Sequence, residues 1–333
     1  MSKIQNIAII GTGMAGISCA KVLQAAGKTV TLFDKSAGPG GRMSSRLFEQ
    51  WAADHGAQYF TAKDEPFNCV VNSWLAQGFI EPWLGKIVSI HKDKIEQVEN
   101  SGQRFVGVPN MNSLAKYLVE DLTVKYSHTI NKIERDGNHW KLCSKEHGPT
   151  QDSFDLLVIA IPAKQASVLI PSKLTSLQKI CTSAQMLPCW TLIAYQDSKI
   201  DLPFDGAFID ESPFSWIARN NSKPARSSYE SWTAQANSEW SKEYMECSNY
   251  EVEPLLVSAF EKITGQPCKL YQSHLWRYAR VEHPQEQSFI LDQKHGLGIC
   301  GDWLLHSTVE GAWTSGYLLA EQIQNLGTLP PTY

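Results

Sequence analysis

A chain of 333 residues is long enough for a sizeable hydrophobic core and is expected to divide into two lobes. Its 30 Lys plus Arg against 34 Asp plus Glu leave a formal charge of -4, and no segment concentrates the positive charge, which excludes a nucleic-acid footprint. Charged and amide residues interrupt each apolar stretch before it is long enough to cross a bilayer, so no membrane partner is expected.

Ile4 to Ile10 reads as a short buried strand. The residues before it lack the apolar region and cleavage site of a secretory signal, which points to a cytoplasmic protein. Met14 to Ala26 reads as a helix ended by Gly27, and Lys28 to Phe33 as a second strand finishing at Asp34, a βαβ unit. Gly38 to Gly41 is too rich in Gly and Pro for regular structure and predicts a loop. A helix is predicted over Phe67 to Gln77, strands over Gly78 to Ile90, an extended segment over Phe105 to Pro109, and a helix over Met111 to Asp121. Thr123 to Lys132 and His139 to Ser144 are expected to form a strand pair turning at Asp136-Gly137. The apolar run Phe154 to Ile161, closed by Pro162, suits a central parallel strand covered on both faces.

From Leu174 to Tyr278 the character changes to Trp- and Tyr-containing strands, polar loops and a helix near Glu251 to Ile263, the expected second lobe. Gly296 to Cys300 returns to an apolar strand ending in Gly301-Asp302, and Val309 to Asn325 has the spacing of a final helix. Leu326 to Tyr333, with two consecutive prolines, is expected to be a loosely held tail. The predicted class is α/β, with 1–80, 105–170 and 285–333 in a nucleotide-binding domain and 81–104 with 171–284 in a second domain.

None of the eight cysteines forms a C-x-x-C pair, so neither a zinc knuckle nor a thioredoxin-like redox pair is suggested and free thiols are expected. His274, His283, His295 and His306 show no metal-ligand spacing, and no metal site is predicted.

The strongest short signal is Gly11-Thr12-Gly13-Met14-Ala15-Gly16 between a strand and a helix. Gly11 permits a tight turn, Gly13 removes a side chain where pyrophosphate must approach, and Gly16 allows close helix-to-sheet contact. The helix start at Met14, Ala15 and Gly16 offers unpaired N–H groups to phosphate. Asp34 follows 23 positions after Gly11, where a carboxylate can accept both ribose hydroxyls. The motif reads as a dinucleotide site, without distinguishing FAD from NAD.

The pattern continues through Asp34-Lys35-Ser36-Ala37-Gly38-Pro39-Gly40-Gly41-Arg42-Met43 and Asp54-His55-Gly56-Ala57-Gln58-Tyr59-Phe60. It resumes at Trp276-Arg277-Tyr278-Ala279, Gly301-Asp302 and Val309-Glu310-Gly311-Ala312-Trp313-Thr314-Ser315-Gly316. In these blocks the chain resembles bacterial renalase-like flavoproteins, a branch of the FAD-dependent amine-oxidase superfamily. The resemblance implies a Rossmann-like FAD domain of the GR2 type with a mixed-sheet substrate domain. It implies that Gly40, Gly41 and Arg42 approach the phosphates or ribityl chain, Arg42 being otherwise a surface charge, and that Lys35 is among the cofactor contacts. Gly56, Ala57 and Gln58 are placed beside the isoalloxazine ring, with Tyr59 and Phe60 either at the pocket or in ordinary packing. Ile130 is implied as the adenine-side backbone contact, and Asp302, Glu310, Gly311 and Ala312 as the ribityl and pyrimidine contacts, Asp302 being alternatively a helix cap.

The same resemblance implies oxidation of 2- or 6-dihydro NAD(P) to NAD(P)+, with hydride passing to flavin N5 and dioxygen reduced to hydrogen peroxide. Such a reaction needs placement more than acid or base catalysis, so Tyr59, Trp276, Tyr278 and Trp313 are the pocket candidates, with Arg277 orienting an amide or phosphate or else pairing with an acid. Leu304 to Thr308 departs from the glycine- and arginine-rich approach of relatives, which implies a differently shaped flavin edge. No cysteine stands there for a covalent link, so noncovalent FAD is expected. Three other readings stay open at this level: an amine oxidase for another substrate, a noncatalytic FAD-dependent interaction protein, and an NAD(P)H-driven monooxygenase. No oligomeric state is legible.

Overall fold

A computed structural model of the protein describes residues 4–92, 94–98 and 102–326. The chain forms two compact units, one from Met1–Gly41, Ala115–Met186 and Arg280–Tyr333 and the other from Arg42–Leu114 and Leu187–Ala279. By packing, residues 42–80 and 105–114 belong with the second unit, whereas the sequence boundaries grouped them with the glycine motif. The reason is a set of buried contacts no motif reveals: Asp54 is ion-paired to Lys223 and Arg226, and Phe60 bridges to Phe105. Of the expected tail, 327–333 lie outside the described residues.

The first unit is a Rossmann-like α/β layer. Its six-stranded sheet runs Ile290–Asp292, Leu297–Ile299, Leu156–Ile159, Asn6–Ile10, Thr29–Phe33, Thr123–Lys125. All pairings are parallel except that of the Ile290–Asp292 edge strand. The run around Val158 is indeed central, with Leu156, Leu157, Val158 and Ile159 fully buried. Thr123 to Lys132 is not one strand. The backbone turns at Ser127, whose φ is 54°, so Thr123–Lys125 joins the parallel sheet while Ile130–Asp136 starts the hairpin with His139–Ser144.

Helix Met14–Ala25 ends where Gly27, at φ 76°, takes the left-handed conformation, and the Lys28 N–H donates to Leu23 O at 3.1 Å. This helix lies against the final helix, Val309–Asn325, at very short range. The Ser18 hydroxyl donates to Trp313 O at 2.9 Å, and a Cβ on Gly316 would stand 2.0 Å from Ala15 O.

The second unit is built on a seven-stranded mixed sheet, in the order Leu270–Val281, Met186–Gln196, Glu230–Ala236, Phe214–Arg219, Gly206–Ile209, Ile87–His91, Lys94–Gln97. One face carries Trp190, Leu192, Trp232 and Ala234 against Val252, Leu256 and Phe260 of helix Asn249–Thr264. A reciprocal Ser248–Glu251 cap starts that helix and Gly265, at φ 69°, stops it. The opposite face holds residues 54–56: the Thr233 hydroxyl donates to Asp54 O at 2.8 Å, Gln235 Nε2 to Gly56 O at 2.7 Å and Trp276 Nε1 to His55 O at 2.9 Å. Among the described residues, no helix is long and apolar enough to cross a membrane.

Gly316→Ala is expected to lower the thermal midpoint sharply, by about 3 kcal/mol or more of stability, because the added methyl meets backbone. A wild-type melting curve for this variant would show that the two helices separate freely, contrary to this description.

Candidate functional site

The glycines of the first turn serve different purposes. A Cβ on Gly11, whose φ is 107°, would stand 2.6 Å from Ala160 O, and one on Gly16 would stand 2.0 Å from Gly11 O. Both are required by the protein's own packing. Gly13 is not: its φ is -74° and a Cβ there would meet no protein atom within 4 Å. Ile17 N–H is the first to bond within the helix, to Gly13 O at 3.0 Å, which leaves the N–H groups of Met14, Ala15 and Gly16 without intrahelical acceptors. The second glycine loop folds onto this turn. Gly40 N–H donates to Thr12 O at 2.9 Å, and Gly41, at φ 52°, brings its Cβ position 3.6 Å from Gly13 Cα.

Asp34 sits at the end of the second strand, buried, and already holds the turn. Its Oδ2 accepts from Thr12 N–H at 2.8 Å and from the Thr12 hydroxyl at 2.5 Å, while Oδ1 accepts from Ser36 N–H at 2.8 Å. Lys35 is exposed, and Ile130 is buried in the core opposite Ser144. Asp302 and Glu310 are buried in the first turns of their helices, Asp302–Leu305 and Val309–Asn325. Gly311 N–H donates to the Thr308 hydroxyl at 2.9 Å, and a Cβ on Gly311 would stand 2.3 Å from His306 O, while Ala312 is half-buried. The Leu304 to Thr308 departure therefore serves packing and capping, with Leu304 fully buried.

In the second unit, Gly56 is walled by backbone, its Cβ position 2.0 Å from Arg42 O and 3.4 Å from the Trp276 ring. Ala57 N–H donates to Arg42 O at 2.8 Å, and the Arg42 guanidinium donates to Ala279 O at 2.9 Å. In the strand Leu270–Val281 the side chains alternate as Trp276-Arg277-Tyr278 predicts: Trp276 and Tyr278 are half-buried and Arg277 is exposed, paired with Glu246 at 2.7 Å. Trp276 stacks on His55 at 5.1 Å and lies edge-on to His274 at 4.5 Å. Burial, then His274 and Arg46, push His55 down to about 4.

Tyr59 packs against Trp216 at 5.6 Å and Trp83 at 6.0 Å, whereas Phe60 is buried among Phe67, Trp74 and Phe105. The Arg104 guanidinium lies 5.2 Å from the Tyr59 ring centre and Lys223 Nζ 5.6 Å from that of Trp83. Beneath them Asp54, fully buried, accepts from Arg226 at 2.7 Å, Lys223 at 3.3 Å, Met111 N–H at 2.9 Å and the Ser45 hydroxyl at 2.7 Å. Lys223 also donates to Gln58 Oε1 at 3.1 Å. Burial raises the Asp54 carboxyl, but Lys223, Arg226 and the Met111 N–H outweigh it and hold the group well below the usual carboxylate range. Burial lowers Lys223 to about 8 against the pull of Asp54. Lys223, Arg226, Arg104, Trp83 and Trp216 were not anticipated. They sit in unpatterned stretches, and only the Asp54-His55-Gly56 block carried a signal.

Residues 88–324 match the family profile of flavin containing amine oxidoreductases, and residues 9–73 match the NAD(P)-binding Rossmann-like domain. Hydroxyneurosporene desaturase of Rubrivivax gelatinosus is 36% identical over 61 residues, 18% of this chain and 12% of that protein. Among solved structures, a protein assigned as a protoporphyrinogen oxidase from Exiguobacterium sp. 255-15 superposes with TM-score 0.79 at 11% identity, over 97% of this chain and 99% of that one. Cyclohexylamine oxidase from Brevibacterium oxydans gives 0.75 at 13% identity, over 98% and 99%. These likenesses show a shared fold. FAD is the cofactor the family implies, and the open space at Gly13 beside orphan helix N–H groups fits its pyrophosphate.

Gly13→Val is expected to leave the apoprotein's melting midpoint unchanged while weakening FAD binding more than tenfold, read by flavin fluorescence on titration; full occupancy in the folded variant would contradict the phosphate passage. Asp54→Asn should cost about 3–5 kcal/mol in urea unfolding at neutral pH, since two buried cations lose their counter-ion. Because the Asp54 pKa is depressed on folding, its contribution is complete above the unfolded value near ~4 and falls away as pH drops toward the folded value, so the variant should show a flatter acid limb.

Proposed function

The chain belongs to the flavin-containing amine oxidoreductase family, and from that premise we propose that it is an oxidase for 2- or 6-dihydro NAD(P), returning it to NAD(P)+. The observation that carries this over an amine substrate is the charge of the Tyr59 surroundings. Lys223 and Arg226 are both buried against one carboxylate, Asp54, so this cluster sets two cations on one anion. The aromatic faces that would receive an ammonium already carry cations, Arg104 over Tyr59 and Lys223 over Trp83. A further positive charge at about 6 Å costs on the order of 2–3 kcal/mol at an effective dielectric near 20. A neutral dihydropyridine ring attached to phosphates meets no such penalty.

In this reading residues of the first unit hold FAD: Gly11, Gly13, Met14, Ala15 and Gly16 at the pyrophosphate, Asp34 and Lys35 toward the ribose, Gly41 above the turn, and Ile130, Asp302, Glu310, Gly311 and Ala312 along the remaining length. Arg42, Gly56, Ala57 and Gln58 complete the proposed set of FAD contacts. Bound without a covalent link, FAD would supply the two-electron acceptor that this oxidation needs, with dioxygen as the final oxidant and hydrogen peroxide as its product. Tyr59, Trp276 and Tyr278 supply flat surfaces that orient the dihydronicotinamide and exclude water. His55, held neutral by burial, keeps the Trp276 ring in place by stacking and acts as no proton donor near neutral pH. Arg277, exposed and paired with Glu246, takes a stabilising role at the surface.

Anaerobic stopped-flow absorbance should show rapid flavin bleaching by 2- or 6-dihydro NAD(P), much slower bleaching by ordinary 4-dihydro NAD(P)H and none by common amines. Trp276→Leu and Tyr278→Leu should keep FAD and slow bleaching by about tenfold or more, since each removes a planar contact. Bleaching by an amine with no response to either isomer would reject the substrate, and unchanged rates in both folded variants would reject the pocket residues.

A further inference from the structure

In the proposed reaction Trp276 and Tyr278 face the nicotinamide ring, and the phosphate on its ribose needs a partner of its own. Arg277 is not that partner, since it lies on the other side of its strand and pairs with Glu246 at 2.7 Å. A different cation stands on the ring side. Ser45–Leu47 and Ala52–Asp54 form an antiparallel hairpin in which Ser45 is opposite Asp54 and Arg46 opposite Ala53. The same register continues to Ser44 and His55, where the His55 N–H donates to Ser44 O at 3.4 Å. Opposed residues share a face and faces alternate along the pair, so Arg46 and His55 are diagonal neighbours on one face, about 7 Å apart. The Ser45 hydroxyl, on the other face, donates to the Asp54 carboxylate. The hairpin thus sends its acid one way and its Arg and His the other.

His55 connects Arg46 to the strand Leu270–Val281. Its ring lies 5.0 Å from that of His274 and 5.1 Å from that of Trp276, and His274 lies 4.5 Å from Trp276. His274, Trp276 and Tyr278 alternate onto one face of the strand, each step of two residues advancing roughly 7 Å. A ribose spans a gap of that order, so a ring seated on Trp276 and Tyr278 sets its ribose phosphate beside His274.

Both groups are open to a ligand. Arg46 is exposed and His274 half-buried, and neither forms a hydrogen bond or ion pair among the described residues. Nδ1 of His55 is shut away from solvent, whereas the ring nitrogens of His274 are not. Burial and then Arg46 lower His274 below the ordinary imidazole value, so the cluster disfavours a second positive charge and gains from a negative one. Asp54 does not fill that need, because Lys223 and Arg226 already neutralise it. We propose that Arg46 and His274 form a phosphate subsite in the second unit, holding the phosphate on the nicotinamide ribose of the substrate. The Arg46 guanidinium supplies charge-assisted hydrogen bonds and the His274 ring an N–H. The identity of the ligand rests on the proposed reaction, whereas the anion-holding role of the two side chains does not.

Equilibrium binding of nicotinamide mononucleotide and of nicotinamide riboside to the FAD-loaded protein tests this, since the two ligands differ by the phosphate alone. The mononucleotide should bind about tenfold more tightly or better. That advantage should fall to about twofold or less in Arg46→Gln, an exposed position where melting stays as in wild type, and in His274→Phe, which keeps the edge-on ring and removes the N–H. Arg277→Gln, which removes an equal charge from the opposite side of the strand, should keep the advantage. Inorganic pyrophosphate, a ligand without the ring, should show the same dependence on Arg46. Pyrophosphate binding that Arg46→Gln abolishes, with no binding of either nicotinamide compound, would sink the dihydronicotinamide reading and leave the subsite standing. Equal affinity of mononucleotide and riboside in wild type, an advantage that either Arg46→Gln or His274→Phe leaves intact, an equal loss in Arg277→Gln, or no binding of mononucleotide and pyrophosphate alike would overturn the subsite. None of these readouts depends on flavin reduction.

Discussion

The second unit depends on one buried carboxylate. Asp54 gathers four groups from three stretches of the chain, the Ser45 hydroxyl, the Met111 N–H, and Lys223 with Arg226. Its position fixes everything that follows it along the chain. His55 is carried under Trp276, Gly56 against the Arg42 carbonyl, Gln58 to Lys223, and Tyr59 among Trp83, Trp216 and Arg104. A paired buried charge is weak evidence for net stability, but removing one partner is severe, which makes such a cluster a device for specifying a single arrangement.

In the first unit the equivalent constraint is close approach of backbone. Gly11, Gly16 and Gly316 are demanded by carbonyl groups of the protein itself, at Ala160, Gly11 and Ala15. Gly13 alone among these faces open space, so the same motif combines structural glycines with one whose absent side chain serves a ligand. Asp34 joins the two glycine loops to the end of the second strand through Thr12 and Ser36. A carboxylate so engaged is preorganised, since its orientation is set before any hydroxyl reaches it.

Much of this was legible because local sequence and global fold agree. The apolar run at Leu156–Ile159, the Met14–Ala25 helix between two strands and the Val309–Asn325 helix follow directly from periodicity and from Gly, Thr and Ser at the ends. The alternation of Trp276, Arg277 and Tyr278 was readable for the same reason. What escaped was long-range. Ser127 looks like any strand residue, yet its positive φ divides one predicted strand into two elements of different sheets. Lys223 and Arg226, in Asn-Asn-Ser-Lys-Pro-Ala-Arg, read as solvated loop charges because nothing local announces a carboxylate 169 positions away. The domain boundaries shifted on the same account, since the ion pairs of Asp54, which no motif announces, tie its segment to the second unit.

The proposed reaction requires the nicotinamide ring of the nucleotide to lie against Tyr59, Trp276 or Tyr278. A crystal structure of the FAD-loaded protein with NADP+, the product of the proposed reaction, tests it most directly. The nicotinamide ring is expected in van der Waals contact with Trp276 or Tyr278, at about 3.5–4 Å. An ordered NADP+ whose nicotinamide lies away from Tyr59, Trp276 and Tyr278 alike would contradict it.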